Sequence, residues 1–345
     1  MRLKHPFHLV VHALLILGSI FMLFPFVWMV TTSFKSEDEI LKTGKRIVVL
    51  PDAWRPSFLN SEEDTRRIEA AAAQRRLWED LQAGKPLPEG ARKPAKPFET
   101  FDNYKLVWGE GESLWSFLGL ASSPAAAPGA KKGQQDFYRY FLNTMFVSIT
   151  ITLSSLFTAS LAAYAFAFFK FPLKDAIFMG LLGTMMLPQQ ALLIPNYILL
   201  SKLNWINTYA ALIVPWVASV YSVFFLRQFF LQLPKDLFEA ATIDGCTRFQ
   251  FYWKVVLPLS KPPMVTLGIF TFLGTWNSFV WPLIVTNDAE LRVIQVGLSY
   301  FNSEAGTQWG PLMAASCLTI FPLVVMYFLA QRQFVESQAT TGMKE

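Results

Sequence analysis

Long hydrophobic runs separated by short polar segments dominate this 345-residue chain. Each run is apolar on all sides of a helix and lacks the alternation of a strand. A helix needs about 20 mostly apolar residues to cross the hydrocarbon core, and in lipid only helices and closed barrels satisfy their backbone groups. The pattern therefore predicts an all-α membrane protein with six transmembrane helices: Val10–Val30, Phe141–Phe169, Ala176–Leu200, Tyr209–Leu231, Pro263–Val285 and Gly310–Gln331.

Two of these runs carry further information. The second exceeds the thickness of a bilayer, so we expect its helix to tilt or project. The third contains Pro188 and Pro195, which predict a kink or an interruption. Composition agrees with the membrane assignment, because 53% hydrophobic and 16% charged residues are too apolar a balance for one soluble domain.

The orientation follows from the basic residues, which collect in cytoplasmic loops. They precede the first helix, lie between the second and third and between the fourth and fifth, and follow the sixth: Arg2, Lys4, Lys170, Lys174, Lys235, Arg248, Lys254, Lys261 and Arg332. The opposite loops hold Lys202 and a mixed set of both signs. Both termini are therefore expected in the cytoplasm.

The same reading divides the chain into four parts. Residues 1–30 form the first helix, 31–139 an external loop, 140–335 a core of five helices with a cytoplasmic loop at 232–261, and 336–345 a cytoplasmic tail. The first run is longer than the usual signal core of about 7 to 15 residues and is followed by no Ala-x-Ala site. We therefore expect a retained helix and not a cleaved signal peptide.

The external loop contains a charged segment. Ser61 to Ala83 predicts a helix, which Ser61 can cap and Gly84 can end. Proline-rich sequence follows it, and a second low-complexity stretch runs from Ala121 to Gln135. Two interpretations remain open: contact with an external protein or subunit, and a solvated insertion.

Several chemistries have weak support. His5, His8 and His12 lie about one helical turn apart and resemble a metal face, but they straddle the start of a membrane helix, where amphipathic rings are common. Cys246 and Cys317 do not predict a disulfide. Within the six runs the ionisable residues are His12 and Arg227, which argues against an ion-coupled carrier. No catalytic residue, metal, cofactor or nucleic-acid partner is expected.

No phosphate-binding loop of the G-x-x-x-x-G-K-[ST] type occurs in the sequence. If the protein pumps a solute, the energy must come from a partner. A membrane-bound enzyme would need paired carboxylates or a metal site in a polar loop, and the dense acidic cluster at residues 62–64 instead resembles a helix start.

The loop between the fourth and fifth predicted helices is chemically specific. Pro234 suits the start of a short helix, Lys235–Ile243 continue it, and Gly245 can adopt the left-handed stop conformation. Thr247 and Gln250 then have the spacing of a capping box, and Pro258 limits the second helix. This pattern predicts two short helices joined by a tight elbow.

Small side chains define one face of the first short helix. Ala240 and Ala241 end at a methyl group and would let another protein approach the backbone closely, while Glu239 offers a charge to a partner or to its own elbow. From the residues alone, a docking element and an ordinary amphipathic loop both remain open.

The spacing Glu239-Ala240-Ala241, three residues, Gly245, nine residues, Val255-x-Leu257-Pro258 resembles the EAA signature of ABC importer permeases. Six flanking segments resemble the six-helix subunit of the maltose-type carbohydrate permeases: Asn207-Thr208-Tyr209, Phe225-Leu226-Arg227, Gly274-Thr275-Trp276-Asn277, Trp281-Pro282-Leu283, Gln295-Val296-Gly297-Leu298 and Trp309-Gly310-x-Leu312-Met313-Ala314-Ala315. The resemblance covers roughly residues 138–335. It departs from the family at Ser278, where an acidic residue is common, and in the tail at residues 336–342.

The resemblance implies a type I permease fold and a mechanism without covalent chemistry. A cytoplasmic ATPase dimer would drive alternating access, a second permease subunit would complete the pore, and an external solute-binding protein would deliver a carbohydrate. The residues it assigns to ATPase coupling are Glu239, Ala240, Ala241, Asp244, Gly245, Leu257 and Pro258. A permease for another solute and a secondary carrier are the alternatives.

Polar residues inside the hydrophobic runs are candidates for a substrate path. They are Asn143, Gln189, Gln190, Asn196 and Asn277. Buried polar groups in lipid must find partners or water, so hydrogen bonding between helices is the competing interpretation for each.

Overall fold

Helices form nearly all of the part of the chain that the computed structural model describes, namely residues 6–42, 49–56, 60–86, 88, 94, 98–99, 101–108, 137–303 and 306–341. The strands in this part of the chain form one two-stranded antiparallel ribbon of β1 (Asn302–Ser303) and β2 (Gly306–Thr307). The predicted all-α fold is confirmed. The second low-complexity stretch, Pro97 and His5 lie outside the described residues.

The helices fall into two groups along the chain. Those before the hydrophobic core are α1 (Pro6–Ser33), α2 (Glu37–Lys42), α3 (Glu62–Gln82) and α4 (Asp102–Trp108). Those of the core are α5 (Phe137–Phe168), α6 (Lys174–Thr184), α7 (Gln189–Lys202), α8 (Tyr209–Ile213), α9 (Val220–Phe230), α10 (Lys235–Ile243), α11 (Arg248–Phe251), α12 (Leu257–Leu259), α13 (Lys261–Trp276), α14 (Val280–Val285), α15 (Ile294–Ser299) and α16 (Trp309–Thr341).

Within the described part of the chain, four stretches are long and apolar enough to cross a membrane: Val11–Ser33, Phe137–Phe168, Tyr209–Phe230 and Trp309–Leu329. Two bent helix pairs raise the number to six if each pair is one span. The pair α6 and α7 is bent by 98°, and the pair formed by Arg248–Leu259 and α13 is bent by 75°. The predicted number of six spans agrees with this count, although the bounds of the fifth do not.

The third predicted span is interrupted as the prolines indicate. Helix α6 ends at Thr184, and Pro188 occupies the N-cap position of α7 with an extended backbone. Pro195 lies inside α7 without ending it. Proline removes a backbone donor and restricts the residue before it, so Pro188 accounts for the break.

The fifth predicted span differs from the structure. The run Pro263–Val285 was expected as one helix, but α13 ends at Trp276 and α14 begins only at Val280. The Asn277 side chain donates a hydrogen bond to the Leu273 carbonyl (2.9 Å), and the backbone N–H of Asn277 reaches the same oxygen (3.1 Å). This local bonding competes with continuation of the helix.

The chain divides into two compact units, which we describe separately. Residues 1–138 and 298–320 form the first. Helix α4 of this unit is tied to the end of α1, because the Asn103 amide donates to the Ser33 and Lys35 carbonyls at 2.8 Å each. Ser61 caps α3 in a complete capping box, and Gly84 follows the helix with φ +73°. The predicted start and end of this charged helix are confirmed.

Residues 139–297 and 321–345 form the second unit. One of its buried clusters joins α5, α9 and the helices that follow Pro234, and it includes Ala163, Leu226, Phe230 and Val256. A second cluster lies near the other end of α5 and includes Val147, Leu212 and Trp281. Helix α5 is thus packed at both ends within this unit.

Candidate functional site

Helix α10 is a single amphipathic helix that stops abruptly. Asp236 lies in its first turn, where a negative charge complements the helix dipole. At the other end, Gly245 has φ +74°, its N–H donates to the Thr242 carbonyl (3.1 Å), and the Cys246 N–H donates to the Ala241 carbonyl (2.9 Å). These two bonds form a Schellman motif, so the predicted left-handed stop at Gly245 is present.

The signature residues are divided between two faces of α10. Glu239 and Ala240 are exposed, whereas Ala241 is 9% exposed and belongs to the buried cluster. Ile243, which sequence reasoning did not single out, is 86% exposed. The outward face is therefore built of Glu239, Ala240 and Ile243, and the methyl group of Ala241 instead permits close packing inward. Asp244 is exposed at the elbow.

Aromatic packing attaches the inner face of α10 to the end of α5. The Phe238 ring contacts Phe251 edge-on with centroids 5.1 Å apart, and Phe168 of α5 lies 6.2 Å from Phe238 and 5.5 Å from Phe251. Such pairs contribute about 0.5–1.5 kcal/mol each beyond the area they bury. The position of α10 is consequently fixed relative to α5.

The second short helix begins as the sequence predicts. Thr247 and Gln250 form a complete capping box. The Tyr164 hydroxyl of α5 donates to the Arg248 carbonyl (2.8 Å), and the Arg248 guanidinium lies 5.2 Å from the centre of the Phe169 ring. These contacts hold the start of α11 against the same end of α5.

A π-helix from Tyr252 to Val256 continues α11. Pro258 has no N–H to donate to the carbonyl four residues earlier. The Leu257 N–H reaches the Tyr252 carbonyl, five residues back, which is the bond of a π-helix. The chain remains helical past the predicted limit at Pro258, and this last short helix, α12, ends at Leu259. Leu257 and Pro258 line an apolar groove of about 580 Å³ together with Trp253, Lys261 and other side chains of the second unit.

Comparison with known proteins identifies the family. Residues 130–336 match the binding-protein-dependent transport system inner membrane component family. The chain belongs to this family. It is therefore the membrane component of a transport system and a multi-pass protein of the inner membrane.

Named relatives share this core. The sn-glycerol-3-phosphate transport system permease protein UgpE of Yersinia pestis is 37% identical over 209 residues, covering 60% of this chain and 74% of the relative. UgpE of Salmonella typhi is 34% identical over 69% of this chain and 79% of the relative. The arabinooligosaccharides transport system permease protein AraQ of Halalkalibacterium halodurans is 35% identical over 60% of this chain and 75% of the relative.

A solved structure supports the fold. A chain of a bacterial ABC transporter involved in the import of the acidic polysaccharide alginate aligns with a TM-score of 0.67 and 17% identity. The alignment covers 96% of this chain and 98% of the other. The permease thus has the fold of an ABC importer subunit.

Asn143 of the permease is a fully buried residue of α5 whose amide is fully bonded. Its Nδ2 donates to the Glu290 carbonyl (2.7 Å) and the Arg292 carbonyl (3.0 Å), and its Oδ1 accepts from the Tyr209 hydroxyl (2.7 Å). Nearby, the Thr144 hydroxyl accepts from the Ile294 N–H (2.8 Å). These bonds attach the segment before α15 to α5.

The other candidate path residues are more accessible. Gln189 and Gln190 are exposed at the start of α7, and Asn196 is half-buried beside Pro195. Asn277 is exposed at the break between α13 and α14, where its Oδ1 accepts from Gln295 Nε2 (3.3 Å). Gln295 was not among the predicted path residues, because only the fold brings it near Asn277. The structure does not join the α7 residues and Asn277 into one site.

Within the described residues, no group of three or more His, Cys, Asp or Glu side chains could hold a metal ion. Of the three histidines, only His12 has a described side chain.

Proposed function

We propose that this permease moves a carbohydrate, or a sugar-like polyol or phosphate, inward through alternating access driven by a separate ATPase. The relatives support the cargo class, because their names concern glycerol-3-phosphate and arabinooligosaccharides. The import system would also contain a second permease subunit, an ATPase dimer and an external solute-binding protein. Both termini and the loop at 232–261 would face the cytoplasm.

The observation that carries the proposal is the exposed face of α10. Ile243 is 86% exposed although it is a large aliphatic residue, and Glu239 and Ala240 lie beside it on a helix fixed from behind by Phe238 and Ala241. A small, rigid patch with one apolar side chain and one carboxylate suits a cleft in a soluble partner. We assign that partner as the ATPase, with Gly245 setting the elbow and Asp244, Leu257 and Pro258 completing the coupling element.

Substitution at the exposed face tests this docking. Ile243→Asp should leave the protein folded, because the side chain lies outside the buried cluster, and should weaken co-purification with the ATPase about tenfold or more. Ile243→Val is the matched control and should retain docking. Glu239→Lys should likewise leave the protein inserted and reduce both docking and uptake, whereas Glu239→Gln separates the loss of charge from its reversal.

The path residues form a second part of the proposal. Because Asn143 uses its whole amide to hold the segment before α15, we propose that solute contact falls to the accessible amides of Gln189, Gln190 and Asn277, with Gln295 as the partner of Asn277. Asn196, half-buried beside Pro195, would shape the same passage. Amide groups both donate and accept, which suits the hydroxyl groups of a sugar.

Uptake by the reconstituted importer tests the cargo. Vesicles containing the complete importer, supplied with the solute-binding protein and ATP, should accumulate a labelled sugar, polyol or sugar phosphate. Accumulation of an amino acid or peptide, with no response to any carbohydrate, would contradict the cargo class while leaving the docking proposal intact. Asn277→Leu should raise the KM for uptake and leave ATPase docking unchanged.

A further inference from the structure

A buried hydrogen bond joins the π-helical segment to the middle of α5. The Tyr252 hydroxyl lies 2.8 Å from Ser160 Oγ, both residues are 1% exposed, and they are 92 positions apart in the sequence. The Ser160 hydroxyl also donates to the Phe157 carbonyl (2.9 Å). Ser160 Oγ therefore has two partners, the Phe157 carbonyl, which can only accept, and the Tyr252 hydroxyl, which can donate or accept.

The segment that begins at Tyr252 is a weak point between α10 and α13. Its turn is π-helical, Pro258 withdraws one backbone donor, and the chain then bends by 75° into α13. Helix α5, in contrast, runs without a proline from Phe137 to Phe168. A displacement applied to α10 could therefore be absorbed in the π segment unless that segment is held against a stiff element.

Tyr252 is placed to hold it. Its ring packs on Tyr164 of α5 with centroids 5.1 Å apart. Its hydroxyl forms a hydrogen bond with Ser160, one turn before Tyr164 on the same helix. Tyr164 in turn donates to the Arg248 carbonyl at the start of α11. The π segment is thus fixed to α5 at Tyr252, its first residue, and at Arg248, one turn before it.

We propose that Tyr252 is a positioning residue of the transport cycle. Through Ser160 it holds the π segment on α5, so that movement of α10 reaches α5 and is not lost in local distortion. This inference rests on the proposed docking of α10 to the ATPase, and it adds the residue pair that transmits the movement.

The variants Tyr252→Phe and Ser160→Ala each remove one side of the bond. Tyr252→Phe keeps the ring and leaves the Ser160 hydroxyl bonded to the Phe157 carbonyl, so no buried donor loses its partner. Thr158→Val is the matched control, because it removes a neighbouring α5 hydroxyl whose bond goes to the Val217 carbonyl (2.7 Å) and not to the π segment. Each variant is measured in the complete importer in vesicles.

The decisive quantity is the number of solute molecules imported per ATP hydrolysed. We expect Tyr252→Phe and Ser160→Ala each to lower this ratio about fivefold, the factor that one ordinary buried hydrogen bond corresponds to, with ATPase rate and co-purification retained. The double variant should fall no further than either single variant, because both remove the same bond. Thr158→Val should keep the original ratio.

Three transport results would overturn the inference. They are an unchanged number of solute molecules imported per ATP in Tyr252→Phe, an equal fall of that number in Thr158→Val, and additive losses in the double variant. Loss of ATPase co-purification in Tyr252→Phe would also overturn it, because Tyr252 would then shape the docking surface instead of transmitting movement. The proposed docking has its own test, since it fails when Ile243→Asp still co-purifies with the ATPase, whatever the ratio does.

Discussion

Arg67 of α3 donates to Asp52 through a 2.6 Å bond from Nη2 and a 3.1 Å bond from Nε, both to the same carboxylate oxygen. Arg55 completes the cluster, with Nη1 3.3 Å from Asp64 Oδ2 and Nη2 3.0 Å from Asp52 Oδ1. The charged helix α3 is therefore fixed at its first turns to the chain that precedes it.

Removing the Arg67 charge should loosen α3. We expect Arg67→Gln to lower the free energy of local opening of the first turns by about 1–2 kcal/mol, because it deletes charge-assisted bonds between mostly buried groups. Hydrogen exchange of the α3 amides measures this change. Arg75→Gln is the control, since the Arg75–Glu79 pair is more than half exposed on both sides and should contribute only a few tenths of a kcal/mol. Equal effects in the two variants would contradict the cluster's role.

The same cluster predicts a pH dependence through Glu39. Burial, followed by the neighbouring Asp52 carboxylate, raises the pKa of Glu39 to about 7 from its ordinary value of 4.5, against the opposing effects of the hydrogen bond from the Asp52 N–H, of Lys35 and of Arg67. The folded cluster thus favours the protonated acid. Its contribution to stability is complete below about pH 4.5 and is lost as the pH rises through about 7.

Hydrogen exchange at several pH values, corrected for intrinsic rates, should show better protection of residues 50–55 and the start of α3 at pH 5 than at pH 8. Glu39→Gln should flatten this dependence, because glutamine stays neutral throughout. A wild-type protection profile that rises from pH 5 to pH 8 would contradict the raised pKa.

Gly297 is predicted to tolerate no side chain. A Cβ at this position would lie 2.4 Å from Cδ2 of Tyr140, whose ring is 1% exposed and has no room to retreat. Gly297→Ala should therefore cost about 1–3 kcal/mol of stability. Gly274→Ala is the matched control, because nothing lies within 4 Å of the added atom in α13. Thermal unfolding in detergent should separate the two variants.

The elbow after α10 should follow backbone preference. Gly245 has φ +74°, a region that asparagine enters far more readily than a β-branched residue. Gly245→Asn should keep most transport, Gly245→Val should lose more, and Gly245→Pro should lose nearly all while the protein still inserts. Uptake measured at equal membrane expression orders the three variants, and a Val variant as active as Asn would remove the requirement for the left-handed turn.

Local features were predictable from the sequence because their causes lie within a few residues. The Schellman stop at Gly245, the capping boxes at Ser61 and Thr247 and the break at Pro188 each depend on side chains three to five positions apart. The EAA spacing likewise indicates the family from the sequence alone. Apolar length predicts the number of spans but not the breaks at Asn277 and between α8 and α9.

Other features depend on distant partners. Asn143 is a polar residue in an apolar run, and its sequence neighbours do not reveal that it bonds carbonyls about 150 positions away. Ala241 faces inward because it packs in the buried cluster that contains Phe251, and the Tyr252–Ser160 contact joins residues 92 positions apart. Whether α3 meets an external partner stays a prediction.

Helix α5 is one unbroken helix that contacts separate segments of the chain near both of its ends. Asn143, near one end, holds the segment before α15, and Ser160 and Tyr164 hold the π segment and α11 about 26 Å and about 32 Å further along, at 1.5 Å per residue. The whole helix is about 48 Å long, so one degree of tilt about one end displaces the other by about 0.8 Å. A tilt of α5 by a few degrees therefore displaces its far end by a few ångströms.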